Sequence, residues 1–126
     1  MDKLLLIFLG GGAGSLARFG LMNVISRATP GSTFPWHTLG VNILGAFIIG
    51  LLVEILALRV SMPALPRYLL VTGFLGGFTT FSAFSMETAL MIERGDYAIS
   101  LIYALASVIG TVIAVFIGSA LIRTVS

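Results

Sequence analysis

The chain has no cysteine, one histidine and only five carboxylates in 126 residues. Without thiols there is no disulfide frame and no thiolate metal site, and so few acids and imidazoles leave little for a catalytic constellation. Enzyme chemistry is not expected. Charge is also scarce, with Asp, Glu, Lys and Arg making up 10% of the chain and a formal net charge of +2, and no nucleic-acid partner is expected. What the chain has instead is apolar surface. With 58% hydrophobic residues and a mean hydropathy of +1.11, it belongs in lipid rather than water, as one small membrane domain spanning residues 1–126. Asp2-Lys3 runs directly into a long apolar stretch with no polar mature domain behind it, so the first segment is expected to remain as a transmembrane helix rather than be cleaved.

Four apolar stretches, at about 4–24, 36–58, 67–91 and 97–122, each come near the ~20 residues that cross a hydrocarbon core of about 30 Å. The expected fold is all-α and polytopic. Short connectors separate the spans: Ser26 to Pro35, Arg59 to Pro66 with Pro63 and Pro66, and Glu93 to Asp96. An even number of spans puts both termini on one side. That side collects Lys3, Arg59, Arg67 and Arg123, against Arg27 and Arg94 on the other, joined by Arg18 if it snorkels outward. The excess is slight and leaves two readings open. One is ordinary insertion with both termini in the cytoplasm; the other is insertion in both orientations, with inverted copies pairing about an axis in the membrane plane. Four short helices make a poor pore alone, so an oligomer is expected.

Residues Thr72 to Glu87 gather adjacent glycines, hydroxyls and phenylalanines inside what should be the third span. Irregular backbone at that depth survives only where protein, water or an ion satisfies it. Gly76-Gly77, followed by Thr79-Thr80, is either a packing pair or the point where the helix unwinds. Phe81 and Phe84 stand three apart on one helical face, with Ser82 and Ser85 as a polar stripe beside them. Other small-residue spacings (Gly10 with Gly14, Ala46 with Gly50, and Gly110-Ala114-Gly118) are assigned to close helix packing.

Polar residues inside the spans are few enough to weigh singly. Asn42 lies early in the second span, where its amide must bond across helices or face water or a ligand. Arg18 either snorkels to the interface or raises the potential where an anion enters. Glu87 falls where it can cap the end of the Phe81 stripe, and Glu54 is expected to reach the interface. Ser107 and Thr111 share a face of the fourth span, their hydroxyls free to serve an anion or to bond back to the preceding turn. Trp36, His37 and Tyr97 fit an interfacial belt with no further role. As a set, Asn42, Ser82, Ser85, Ser107 and Thr111 offer neutral donors, and the ring edges of Phe81 and Phe84 carry the positive side of the aromatic quadrupole. Such a set suits a small, strongly hydrated anion, bound weakly enough to leave. Phenylalanines packed in the core or facing lipid are the alternative.

Gly10-Gly11-Gly12-Ala13-Gly14-Ser15-Leu16-Ala17-Arg18, Thr38-Leu39-Gly40-Val41-Asn42 and the run from Thr72 to Glu87 resemble the small CrcB-type fluoride channels called Fluc, across essentially all four spans. The resemblance implies a bacterial inner-membrane channel that exports cytoplasmic fluoride passively, as an antiparallel, dual-topology homodimer with two fluoride pores. It implies that Phe81 and Phe84 contact fluoride, with Asn42 as the pore amide. Ser82, Ser85, Ser107 and Thr111 would line the path, with Arg18, Thr38 and Glu87 at the vestibule. The third helix would break in mid-membrane, where backbone carbonyls of Gly76 and Thr79 from both subunits hold a structural sodium ion. The chain departs from the family pattern at Ala83, Phe78 and His37. Two other functions fit the size and span count: a small dual-topology, proton-coupled multidrug exporter, which needs a carboxylate inside the bundle, and a non-transporting membrane scaffold.

Overall fold

The computed structural model describes residues 2–58 and 64–125. Every element among them is helical: α1 (Asp2–Ala28), α2 (Trp36–Leu58), α3 (Ala64–Arg67), a π-helical stretch (Tyr68–Leu75), α4 (Gly76–Phe78), α5 (Phe81–Glu93) and α6 (Tyr97–Val125). Four spans are long and apolar enough to cross a bilayer: Asp2–Ala28, Trp36–Leu56, Tyr68–Glu93 and Tyr97–Val125. The even number places the described ends of the chain on one side.

The helices outrun the apolar stretches that announce them. Hydropathy marks where the hydrocarbon begins, whereas a helix continues into the interface until something ends it. Ser26 and Arg27, expected in the first connector, form the last turns of α1. There the Thr29 N–H and hydroxyl both donate to the Ile25 carbonyl, at 3.1 and 2.9 Å, before Gly31 turns the chain at φ 75°. Glu93 likewise closes α5 instead of standing in the third connector, and the turn falls at Gly95 with φ 84°. The fourth span runs to Val125 rather than 122. In the second connector, Arg59 and Pro63 lie outside the described residues. Pro66 belongs to α3, which begins at Ala64, ahead of the expected start at Arg67. Proline fits a first helical turn because its missing N–H would have no partner there.

Two backbone-to-backbone seams join the spans. In lipid the tails are as apolar as the side chains, so helices gain by close packing and interhelical hydrogen bonds rather than by leaving the solvent. α1 lies along the π-helical stretch and α4. A Cβ added at Gly14 would strike the Phe74 carbonyl, and one at Gly77 would strike the Gly11 carbonyl. The other seam joins α2 to α6, with Gly50 against the Val115 carbonyl and Gly118 against Phe47. The Ser119 hydroxyl donates to the Gly50 carbonyl across it, at 3.2 Å.

Of the two readings open for Gly76-Gly77, the packing pair is the one observed, and the helix does not unwind there. Gly76 keeps helical dihedrals (φ −62°, ψ −37°), and helix continues through Phe78. The extended residues are Thr79 (φ −86°, ψ 156°) and Thr80 (φ −146°, ψ 118°), midway along the third span. The absent side chain of Gly77 serves contact with α1, not conformational freedom.

Candidate functional site

A groove of about 420 Å³ opens beside Thr79 and Thr80, bounded by α2, the π-helical stretch, α4, α5 and α6. Its wall includes Asn42, Gly76, Thr79, Thr80, Phe81, Phe84, Ser107 and Thr111, drawn from three of the four spans.

Asn42 closes the gap in the helix. Its Nδ2 donates to the Thr80 carbonyl at 3.0 Å, and its Oδ1 accepts the Thr80 N–H at 2.8 Å. One amide thus satisfies both backbone polar groups of an extended residue that would otherwise be costly in hydrocarbon. Thr80 also caps α5, its Oγ1 accepting from the Ala83 N–H at 3.2 Å and lying 3.3 Å from Ser82 Oγ. Thr79 turns both its N–H and its hydroxyl back to the Leu75 carbonyl, each at 3.0 Å. In a regular helix the N–H groups of Thr80 and Ala83 would serve the carbonyls of Gly76 and Thr79. Here those donors serve the Asn42 and Thr80 side chains instead.

The two hydroxyls of α6 part company. Thr111 Oγ1 donates to the Ser107 carbonyl at 2.6 Å, the back-bonded of its two open states. Ser107 is 8% exposed and lines the groove, and its buried Oγ has no hydrogen-bond partner among the described residues. A buried hydroxyl without a partner calls for a ligand or water. Phe81 stands at the rim, 78% exposed, its ring 5.4 Å from that of Phe84. Phe84 continues inward against Tyr103 at 5.1 Å. Ser82 and Ser85 are exposed and line no part of the groove, so the stripe beside the rings is not brought into this wall.

Beyond Phe84 lies a polar cluster around Glu87. Its Oε2 accepts from the Thr38 hydroxyl at 2.9 Å and stands 3.0 Å from His37 Nε2, while Oε1 accepts from the Tyr103 hydroxyl at 2.9 Å. Tyr103 is fully buried and was not singled out from the sequence. The available signal was its place four residues before Ser107, on the same helical face. His37 does more than sit in an aromatic belt. Arg18, half-buried on α1, lines neither the groove nor the pocket beside Glu87. Glu54 reaches the other end of the bundle, where its Oε1 accepts from Arg123 Nε at 3.0 Å.

Four membrane-crossing helical spans, with a largely apolar groove beside two extended residues in the third, define a polytopic α-helical membrane protein. Residues 5–119 match the family described as CrcB-like protein, Camphor Resistance (CrcB). The chain is 48% identical to the fluoride-specific ion channel FluC of Agrobacterium fabrum, over 98% of both chains. It is 47% identical to that of Chelativorans sp. over 99% of both, and 44% identical to that of Rhizobium leguminosarum bv. trifolii over 100% of both. The chain belongs to the CrcB family, and is a multi-pass bacterial membrane protein.

Proposed function

We propose that this chain forms a fluoride-selective channel in the bacterial inner membrane. It lets cytoplasmic fluoride leave passively, as an antiparallel, dual-topology homodimer with two pores and a structural sodium ion at its centre. One observation carries the channel reading: the buried, unpartnered Ser107 hydroxyl stands in the wall that also holds the Asn42 amide and the Phe81–Phe84 ring pair. Relatives named as fluoride channels match the full length of the chain.

The groove works by replacing water hydrogen bonds without holding the ion. Ser107 Oγ–H, the second Nδ2–H of Asn42 and the ring edges of Phe81 and Phe84 are neutral donors or partial positive charges. Among the described residues no Lys or Arg lines this wall, so a small anion meets no deep electrostatic trap and can leave. A negative-inside potential drives it outward at about 2.3 kcal/mol per 100 mV. The weak acid HF re-enters, ionises in the less acidic cytoplasm and sustains the load.

Dimerisation is supported by what one copy leaves open. Phe81 is 78% exposed beside the groove, and Val108 and Val112 on the adjoining face of α6 are 60% and 50% exposed. A second copy facing that wall would complete the path. The carbonyls of Gly76 and Thr79, deprived of their helical donors, fit a hard cation bound by oxygen alone. Sodium there would supply positive potential beside the pores. Its protein ligands would be those two carbonyls from each copy.

Purified protein in liposomes, read with a fluoride electrode under an imposed potential, should release fluoride and retain chloride without any proton gradient. Efflux that requires a proton gradient and carries organic cations would instead make the protein an exporter. Phe81→Ile should lower fluoride efflux by about tenfold or more, matching the ~1.4 kcal/mol of one lost ring-edge contact. A scaffold would be indifferent to it. In the same assay, Ser107→Ala should cut efflux by roughly tenfold, the value of one hydrogen bond to a charged group. Thr111→Val should change it less than about threefold, because that hydroxyl already donates to its own helix. Equal losses at the two positions would show that Thr111 turns toward the ion.

A further inference from the structure

Gly45 lies in the wall of the groove, on the same face of α2 as Asn42 and about one helical turn beyond it. It is buried, and the space that a side chain would fill there is taken. A Cβ built on Gly45 would run into the Thr79 Cγ2 methyl and would stand 3.3 Å from Cδ2 of the Phe78 ring. Those two residues are the last of α4 and the first extended residue after it. One face of α2 thus meets the opened stretch of the third span at two points: the Asn42 amide bonds Thr80, and the bare backbone of Gly45 receives Thr79.

Neither neighbour of Gly45 is free to give way. The Thr79 hydroxyl and N–H both donate to the Leu75 carbonyl, each at 3.0 Å, and a β-branched side chain tied in this way keeps one χ1 rotamer. Turning the methyl aside would break the hydroxyl bond. The Phe78 ring is 4% exposed, packed with Val41 and Leu75 and stacked on Phe74 at 5.9 Å. A side chain at position 45 therefore has two outlets: the Thr79 backbone turns and redirects its carbonyl, or α2 backs away and carries Asn42 off Thr80. Both end at the opened stretch. Gly40, on the same helix, differs in this respect. Among the described residues outside its own helix, a Cβ there meets Ile25 Cδ1 alone, at 3.0 Å, the movable end of a flexible side chain.

We propose that Gly45 is a positioning residue for the groove, acting through Thr79: its missing side chain is the socket for the Thr79 methyl, and the filled socket fixes the Thr79 carbonyl and the Asn42–Thr80 bonds in the geometry that permeation uses. The inference rests on the channel reading above. It separates Gly45 from the seam glycines Gly50 and Gly118, which admit a neighbouring backbone, whereas Gly45 admits a side chain of the opened stretch itself.

The test is a double-mutant cycle. Gly45→Ala sets a methyl against that of Thr79, and Thr79→Ser removes the Thr79 methyl while keeping the hydroxyl that bonds Leu75. Wild type, both single variants and the double variant are compared by voltage-driven fluoride efflux from liposomes, per mole of monodisperse protein, and by thermal midpoint in detergent. Gly45→Ala should lower efflux about tenfold in the wild-type background, as expected for an extra methyl in a packed site, and by less than about threefold in the Thr79→Ser background. Gly40→Ala should change efflux by less than about threefold. Equal losses in the two backgrounds overturn the inference and place the obstacle at the Phe78 ring or in α2 as a whole. Wild-type efflux in Gly45→Ala overturns it too. So does a lowered midpoint with unchanged efflux per mole, because Gly45 would then serve packing alone. If Gly45→Ala gives no monodisperse protein, the double variant decides: recovery of conducting protein supports the socket, and no recovery overturns it. Wild-type vesicles that pass no fluoride overturn the channel reading itself, and a Gly45→Ala fall in midpoint that is the same with and without the Thr79 methyl then overturns the socket as well.

Discussion

Asn42→Asp should lower voltage-driven fluoride efflux by at least about a hundredfold while leaving the four-span fold inserted. Two effects act together. The carboxylate can still accept the Thr80 N–H, but it has no hydrogen to give the Thr80 carbonyl, so that oxygen faces another oxygen at about the distance where Nδ2 now donates. It also places a full negative charge in the wall of the groove proposed to conduct an anion. At roughly 4 Å and an effective dielectric constant near 20, one unit charge repels another by about 4 kcal/mol, more than the ~2.7 kcal/mol that a hundredfold loss requires. Asn42→Ala separates the two effects, because it removes both hydrogen bonds to Thr80 and adds no charge. Its efflux should lie between the wild type and Asn42→Asp, and its thermal midpoint in detergent should fall further, by an amount matching about 1–3 kcal/mol for each unsatisfied backbone group. If Asn42→Asp conducts like the wild type, the amide does not face the ion path, and the groove is not the pore.

Gly14→Val should destabilise the protein by at least about 3 kcal/mol, read as a large fall in the detergent thermal midpoint and in the yield of monodisperse protein. At this position the obstacle is the Phe74 backbone carbonyl, which cannot swing aside as a side chain could. Relief therefore requires α1 to move away from the π-helical stretch, and the contact of Gly77 with Gly11 opens with it. Gly12→Val is the control. Nothing among the described residues lies within 4 Å of a Cβ built there, so the same substitution two residues away should shift stability by no more than about 0.5 kcal/mol. If Gly14→Val melts with the wild type, close backbone contact is not what joins α1 to the third span.

Much of the architecture was legible along the chain because hydrocarbon imposes a simple rule. A span must be apolar for about 20 residues and must satisfy its own backbone, so composition alone reveals four helices. The same rule picks out Asn42, since a lone amide in an apolar run needs a partner. It also marks the stretch from Thr72 to Glu87 as irregular. The motifs there and in the first two spans carry the family. Helix ends were less legible. Ser26, Arg27 and Glu93 are polar yet helical, because hydropathy records the edge of the lipid and not the last hydrogen bond.

Pairing in space was beyond the reach of sequence. Gly76-Gly77 and Thr79-Thr80 are both credible sites for a helix to open, and local propensity favours the glycines. Only the position of α1 decides otherwise: its backbone occupies the place of a Gly77 side chain and keeps that turn helical, while Asn42 from α2 receives the extended Thr80. Ser107 and Thr111 have the same chemistry and share a face, yet one hydroxyl bonds to its own helix and the other is left buried without a partner among the described residues. The bonds of Glu87 to Thr38 and Tyr103, and its contact with His37, cross three helices and follow no spacing in the sequence. Composition and periodicity set which segments enter the membrane, because each residue's transfer from water is nearly independent of its distant neighbours. Which polar groups meet there depends on how the spans lean together, and that depends on contacts between residues far apart in the chain.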